Sequence, residues 1–485
     1  MRHSAVRWLR RTLLVGLVIA ATLLVVRAVD SQRGPPLELW HIYVPEEVRG
    51  GDLDRLDWAG YLAAEARIFA SVRSEVTERL SAAEKTPDNR YFAESPVNPA
   101  HFVQDWNRSY VLEPAGAPVG SVVLLHGLTD SPYSLRHIAR QYRDLGYVAI
   151  AIRLPAHGTV PAALTDITWE DWLAATRLAV REARRRIGPT APLHMVGFSN
   201  GGALALKYAL DAIEDDRLTR PDRLVLISPM IGITAFARFA GLAALPAVLP
   251  AFAKAAWLSV VPEFNPFKYN SFPVNGARQS HRLTMALQDQ ISRLSRAGRL
   301  DRLAPVLTFQ SLMDFTVSTR AVVSSFYVLL PANGSELVLF DRNRNTKLGP
   351  LLRPAFELAL GRLLPAPPQN FRMTTITNAG PGSSEVIERV VEAGATTERE
   401  RSLGLAYPRE VYSLSHVALP FPPSDGLYGN APDPAEDFGV SFGAMAARGE
   451  VGVLIISMDS LARISWNPFF PYVTARIREV IDTPH

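Results

Sequence analysis

A serine can attack a carbonyl only if an imidazole takes its proton and a carboxylate orients that imidazole. Ser199 is the candidate nucleophile. It stands in Gly197-Phe198-Ser199-Asn200-Gly201, between an apolar run at 193–196 and a strong helix former at 202–210. A serine at a sharp strand-to-helix turn is held in a strained backbone conformation, and small flanking residues let the two elements approach. The bare pattern is common, but between this strand and this helix it is specific.

His416 is the candidate base, because it follows the strand-like stretch 410–414, whereas His281 sits in a different region and His485 ends the chain. Asp314 is the candidate acid, emerging after a strand at 305–309, and Asp341 at the end of the next strand is its rival. An oxyanion also needs fixed donors, which backbone amides supply before the charge develops. The amide of Asn200 is one candidate. The other is Leu128 in His126-Gly127-Leu128-Thr129-Asp130, where Gly127 permits close approach and His126 braces the loop.

The elements that must position these groups alternate along the chain. Strands are expected at 106–112, 121–125, 147–153, 193–197, 223–228, 305–309 and 336–341, with helices at 135–145, 169–186 and 202–213 between them. Continuous apolar strands alternating with helices indicate a parallel sheet covered on both faces. Residues 229–303 break this alternation. The stretch 236–261 is almost wholly apolar yet carries Pro246, Pro250, Arg238 and Lys254, which fits a helical cap over the site better than a membrane span. Residues 342–408 read as an insertion with one strand, 373–377, and one helix, 384–393; a last strand at 410–414 and a helix at 470–481 close the domain. The expected organisation is therefore 1–30 anchor or signal, 31–105 linker and helical extension, 106–228 first core part, 229–303 cap, and 304–485 second core part with the insertion 342–408. Within 31–105, residues 37–42 look strand-like and 53–84 carry helical spacing.

Length and composition narrow the classes. A chain of 485 residues with 48% hydrophobic and 20% charged content is globular and can bury a large core. Without cysteine there is no thiol nucleophile, disulfide or Cys-ligated metal. The net charge is only +4, and no basic cluster is interleaved with aromatics, so nucleic acid is not an expected partner. Arg2, Arg7, Arg10 and Arg11 precede an apolar run from Thr12 to Val26 that Arg27 interrupts. This reads as a membrane anchor, or as a signal segment cut after Val26-Arg27-Ala28; an arginine just before the cut favours the anchor. Either way the positive flank stays inside, which puts the rest of the chain on the periplasmic side.

The segments 122–132, Arg153-Leu154-Pro155-Ala156-His157-Gly158 and 197–202 resemble the lipase and esterase branch of the α/β-hydrolase superfamily. Monoacylglycerol lipases, bacterial carboxylesterases and the serine aminopeptidase-like group are the nearest in look. The resemblance covers about 106–345 and then the His416 region. It implies an α/β fold with a mostly parallel central sheet, helices on both faces and an inserted helical cap. It also implies a Ser199–Asp314–His416 triad acting on acyl groups, with His157 supporting its loop. Two features depart from the family: 342–408 lengthens the path to the histidine, and 31–105 has no counterpart.

The expected activity is hydrolysis of acylglycerol, lysophospholipid or other apolar acyl esters through an acyl-enzyme. Amide hydrolysis, acyl transfer and a non-catalytic, membrane-tethered lipid-binding role are the alternatives. Serine at the turn argues against dehalogenase or epoxide-hydrolase chemistry, which in this fold uses aspartate. The chemistry requires neither metal nor organic cofactor.

Overall fold

The computed structural model describes residues 2–232, 245–248, 250–314, 316–345, 363–409, 411–443 and 466–482. Residues 233–244 of the expected cap, 346–362 of the insertion and residue 410 of the expected last strand lie outside that description.

The parallel body of the sheet is built from β2 (Gly120–Leu125), β3 (Tyr147–Ala151), β4 (Leu193–Phe198), β5 (Arg223–Ile227), β8 (Val306–Ser311), β9 (Glu336–Phe340) and β10 (Arg372–Asn378). With β1 (Tyr110–Leu112), β11 (Glu385–Val391) and β12 (Glu398–Ala406) it makes ten strands in the order β1-β3-β2-β4-β5-β8-β9-β10-β11-β12. β1 pairs antiparallel with β3, and β11 and β12 continue antiparallel beyond β10. Every residue of β2, β3, β4, β5, β8 and β9 is buried, as strands covered on both faces require.

Side-chain alternation sorts the two faces. Val122 and Leu124 point into a core with Ile138 and Tyr142 of α5 (Arg136–Asp144) and Val473 and Ile477 of the closing helix Phe470–Asp482. Val123 and Leu125 point the other way, onto Trp172 and Leu178 of α6 (Trp169–Ile187) and Leu204 of α7 (Asn200–Glu214).

The amino-terminal segment holds α1 (Arg2–Ser31), α2 (Leu39–Ile42), α3 (Gly50–Arg55) and α4 (Trp58–Glu75). The stretch 37–42 is thus a helical turn, not a strand: His41 Nδ1 accepts the amide of Glu38 at 3.0 Å and closes it. The helical spacing at 53–84 resolves into two helices, because Asp57 caps α4 by accepting the Gly60 amide at 2.8 Å. Glu47 and Glu65 both reach the buried guanidinium of Arg153, just after β3, at 2.9 and 3.4 Å. That pairing fastens this segment to the sheet.

The insertion differs from expectation in kind. The predicted helix at 384–393 is strand β11: its β-branched Val386, Ile387, Val390 and Val391 suit a pleated surface, and β10 and β12 pair with it on both sides. The expected strand at 410–414 does not form among the described residues. Asn343 occupies that backbone instead, its Nδ2 donating to Pro408 O at 3.1 Å and Val411 O at 2.9 Å. His416 accordingly sits on a single 3-10 turn, His416–Ala418, rather than directly after a strand.

Candidate active site

Ser199 joins β4 to α7 with φ 54° and ψ −115°, a left-handed conformation costing about 1–3 kcal/mol that persists only where surroundings enforce it. They do. The Ser199 amide donates to Ile227 O at 2.9 Å, and Ser199 O accepts from Met230 at 3.0 Å. A β-carbon on Gly201 would stand 2.0 Å from Leu125 O, and one on Gly197 would stand 2.4 Å from Gly201 O. Only glycine lets helix and strand meet this closely.

His416 bridges the other two groups. Its Nε2 lies 3.0 Å from Ser199 Oγ and its Nδ1 lies 3.0 Å from Asp314 Oδ2. All three residues are buried, Ser199 being 8% exposed and His416 4%. Asp314 is fixed from several directions: Gln310 Nε2 donates to Oδ2 at 2.9 Å, and the amides of Thr316 and Val317 donate to Oδ1 at 2.9 and 2.8 Å. The rival Asp341 is engaged elsewhere, with Thr377 Oγ1 at 2.9 Å and Arg344 Nε at 2.7 Å.

The loop after β2 lies directly against this serine. A β-carbon on Gly127 would touch Phe198 at 3.3 Å and Ser199 Cβ at 3.4 Å. Leu128 follows, and Asn200 is the first residue of α7, where amides have no intrahelical partner. Among the described residues neither amide donates to another backbone carbonyl. His126 Nε2 accepts the Leu154 amide at 3.0 Å, which makes Nδ1 the donor to Gly127 O at 2.9 Å. Burial, reinforced by neighbouring His157, holds His126 well below the usual imidazole range. His157, lowered by burial to about 4, packs edge-on against it at 5.0 Å. Both are neutral braces for the loop.

A cavity of about 350 Å³ opens onto Ser199 and His416. Leu128, Phe198, Met230, Phe272, Ala277 and Val417 supply apolar wall, while Ser259, Lys268 and Asn270 supply polar wall. The polar wall went unnoticed in the sequence; its signal was Ser259, Lys268 and Asn270, polar residues in or just after the apolar stretch 236–261. Tyr269 ties this wall to the loop, its amide donating to Thr129 O at 2.8 Å. Asp130 is the other unanticipated group. Burial pushes its carboxyl up to about 6, against the pull of Lys268 and of its hydrogen bonds from Ser131 and Ser134.

Residues 116–344 match the family model described as serine aminopeptidase, S33. A thermostable monoacylglycerol lipase of Bacillus sp. (strain H-257) is 35% identical over 92 residues, which is 19% of this chain and 35% of that protein. The match therefore spans about a third of that curated relative. Among solved structures, one from work on LipS and LipT, two metagenome-derived lipolytic enzymes, is similar at 22% identity, covering 54% of this chain and 97% of its own, with a TM-score of 0.38. A soluble variant of monoglyceride lipase from Saccharomyces cerevisiae is similar at 14% identity, 48% and 82% coverage and a TM-score of 0.37. Likeness at that level carries no argument about substrate.

Proposed function

We propose that this chain, whose residues 116–344 match the serine aminopeptidase family and whose sheet has the α/β-hydrolase order, cleaves carboxylic esters through a Ser199 acyl-enzyme. The observation that carries the proposal is His416 standing 3.0 Å from both Ser199 Oγ and Asp314 Oδ2. Ser199 Oγ attacks the carbonyl carbon while His416 Nε2 takes its proton, and Asp314 holds the resulting imidazolium at Nδ1. The amides of Leu128 and Asn200 receive the oxyanion, aided by the positive end of α7. His416 then returns the proton to the departing alcohol. In the second half it deprotonates a water that attacks the acyl carbon, releasing the acid and restoring Ser199.

The apolar wall favours an acyl chain as the recognised group, as in acylglycerols, lysophospholipids and related esters, with residues 229–303 acting as the cap. The relative named as a monoacylglycerol lipase supports the same substrate class. The helix α1 has a 22-residue stretch, Arg10–Ser31, long and apolar enough to cross a membrane. We take it as an anchor, with the catalytic part on the periplasmic side.

A p-nitrophenyl ester series of increasing chain length tests this reading. Turnover should rise from acetyl to a medium-chain optimum, and Ser199→Ala should show none. Equal turnover by Ser199→Ala would remove the assignment.

A further inference from the structure

The placement of Arg27 makes the anchor more than a tether. Arg27 ends the apolar run 12–26, and a guanidinium there is held in place by polar partners. Arg27 Nη2 finds them in the carbonyls of Ala255 and Trp257. The contact is reciprocated. Lys254 Nζ, from the same segment, takes the carbonyls of Gln32, Arg33 and Gly34 at 3.2 to 3.3 Å, just past the carboxyl end of α1 where orphan carbonyls seek donors. Gln32 Nε2 donates to Ala251 O at 3.1 Å, and Ala28 and Ser31 are buried.

This segment leads into the wall of the catalytic cavity without itself lining it. Pro250–Ala256 runs without a break into β6 (Trp257–Ser259), which pairs with β7 (Phe272–Pro273). Ser259 and Phe272 both line the cavity that holds Ser199. A second link is His41, whose ring meets Trp257 edge-on at 5.0 Å while its Nε2 contacts Ser271 Oγ at 2.9 Å.

Beyond the docked end, α1 leaves its apolar side chains uncovered. Leu13, Leu17, Leu23 and Val26 are 65, 70, 63 and 59% exposed. From Arg11 to Val26 the helix rises roughly 24 Å, close to the hydrocarbon thickness of a thin bilayer. Arg10 and Arg11 stand at one end of that stretch and Arg27 at the other.

Resting on the ester-hydrolase reading of Ser199, we infer that α1 docks on Pro250–Trp257 and so seats the cavity mouth in the headgroup layer. The chain thereby draws a lipid ester from the same bilayer that anchors it.

The test uses the full chain in phosphatidylcholine vesicles carrying 1-monooleoylglycerol. The chain has no cysteine, so Ala253→Cys accepts a single environment-sensitive dye. Quenching of that dye by headgroup-spin-labelled lipid is expected; no quenching overturns the inference. In parallel, the double variant Arg27→Ala, Lys254→Ala should keep the wild-type rate on soluble p-nitrophenyl butyrate. It should lose about tenfold on the vesicle ester, as expected when an effective-concentration advantage is removed. Unchanged rates on both substrates overturn the inference. A wild type that turns over neither substrate removes the ester-hydrolase reading instead, and dye quenching still decides the docking.

Discussion

Ser199 owes its position to residues within a few places of it, together with the neighbouring strand. Gly197 and Gly201 admit the close approach, and the Ile227 carbonyl and Met230 amide hold the turn. His416 is placed by the opposite means. It stands on one 3-10 turn at the end of a long excursion through β10, β11 and β12, and buried polar groups far away in sequence hold the flanking chain. Asn343 pins the backbone just before it. After it, Asp425 is locked to α5 by Arg136 Nη1 at 2.8 Å and His137 Nε2 at 3.0 Å, and to the turn before α5 by Tyr133 OH at 2.8 Å. Burial opposes ionisation of Asp425, but Arg136 and its other partners outweigh it and hold its carboxyl far below the usual range. One half of the site is therefore local geometry and the other is long-range electrostatics. The two should fail differently.

The largest effect belongs to the local half. Ser199→Ala should lower kcat by roughly 10⁶-fold, since removing a triad nucleophile leaves only binding and oxyanion stabilisation. Its Tm should hold or rise, because alanine needs the same small space and no hydroxyl is left to satisfy. A large loss of Tm would mean that the serine is structural. Asp314→Asn should cost about 10⁴-fold in kcat by leaving His416 in the wrong tautomer, while Asp341→Asn should leave kcat within a small factor. The reverse pattern would reassign the acid.

Stability sharpens the contrast. Asp425→Ala removes one of the two carboxylates that pair with a fully buried Arg136, leaving Glu436, and should cost about 3 kcal/mol, read as a lower denaturant midpoint. Gly201→Ala should cost about 1–3 kcal/mol through a local backbone shift, and should impair catalysis more than its stability loss alone explains. If Asp425→Ala were neutral, the long-range half of the comparison would fall.

The smallest effect is a pH dependence. The carboxyl of Asp130 is raised to about 6 from an ordinary 3.8, so the folded state prefers it protonated. Its contribution is fully present below pH 3.8 and is lost as pH rises through about 6. Those roughly two units set a ceiling of about 3 kcal/mol. Asp130→Asn should flatten the stability profile between pH 4 and 6, measured by urea unfolding; an unchanged slope would refute the role.

How much was legible in the sequence follows the same division. The α/β alternation could be read because β2, β4 and β5 are continuous apolar runs and Ser199 sits in a local motif. β11 could not, because Val386, Ile387, Val390 and Val391 are spaced like a helix face and only pairing with β10 and β12 makes them a strand. β12 is harder still, since Glu398, Arg399, Glu400 and Arg401 are all exposed and give no apolar pattern. The partners of Arg153 lie 106 and 88 positions away, and nothing local to Glu47 or Glu65 announces them. Their places after strand-like runs brought Asp314 and His416 into consideration, but Asn343 and Asp425, which hold the chain around the histidine, carry no motif.

The most direct measurement is labelling of the purified protein with a fluorophosphonate serine probe, beside Ser199→Ala and His416→Ala. The account predicts that wild type is labelled and that each substitution removes the label while circular dichroism stays unchanged. Labelling that survives in either folded variant, or none in folded wild type, would contradict an activated Ser199.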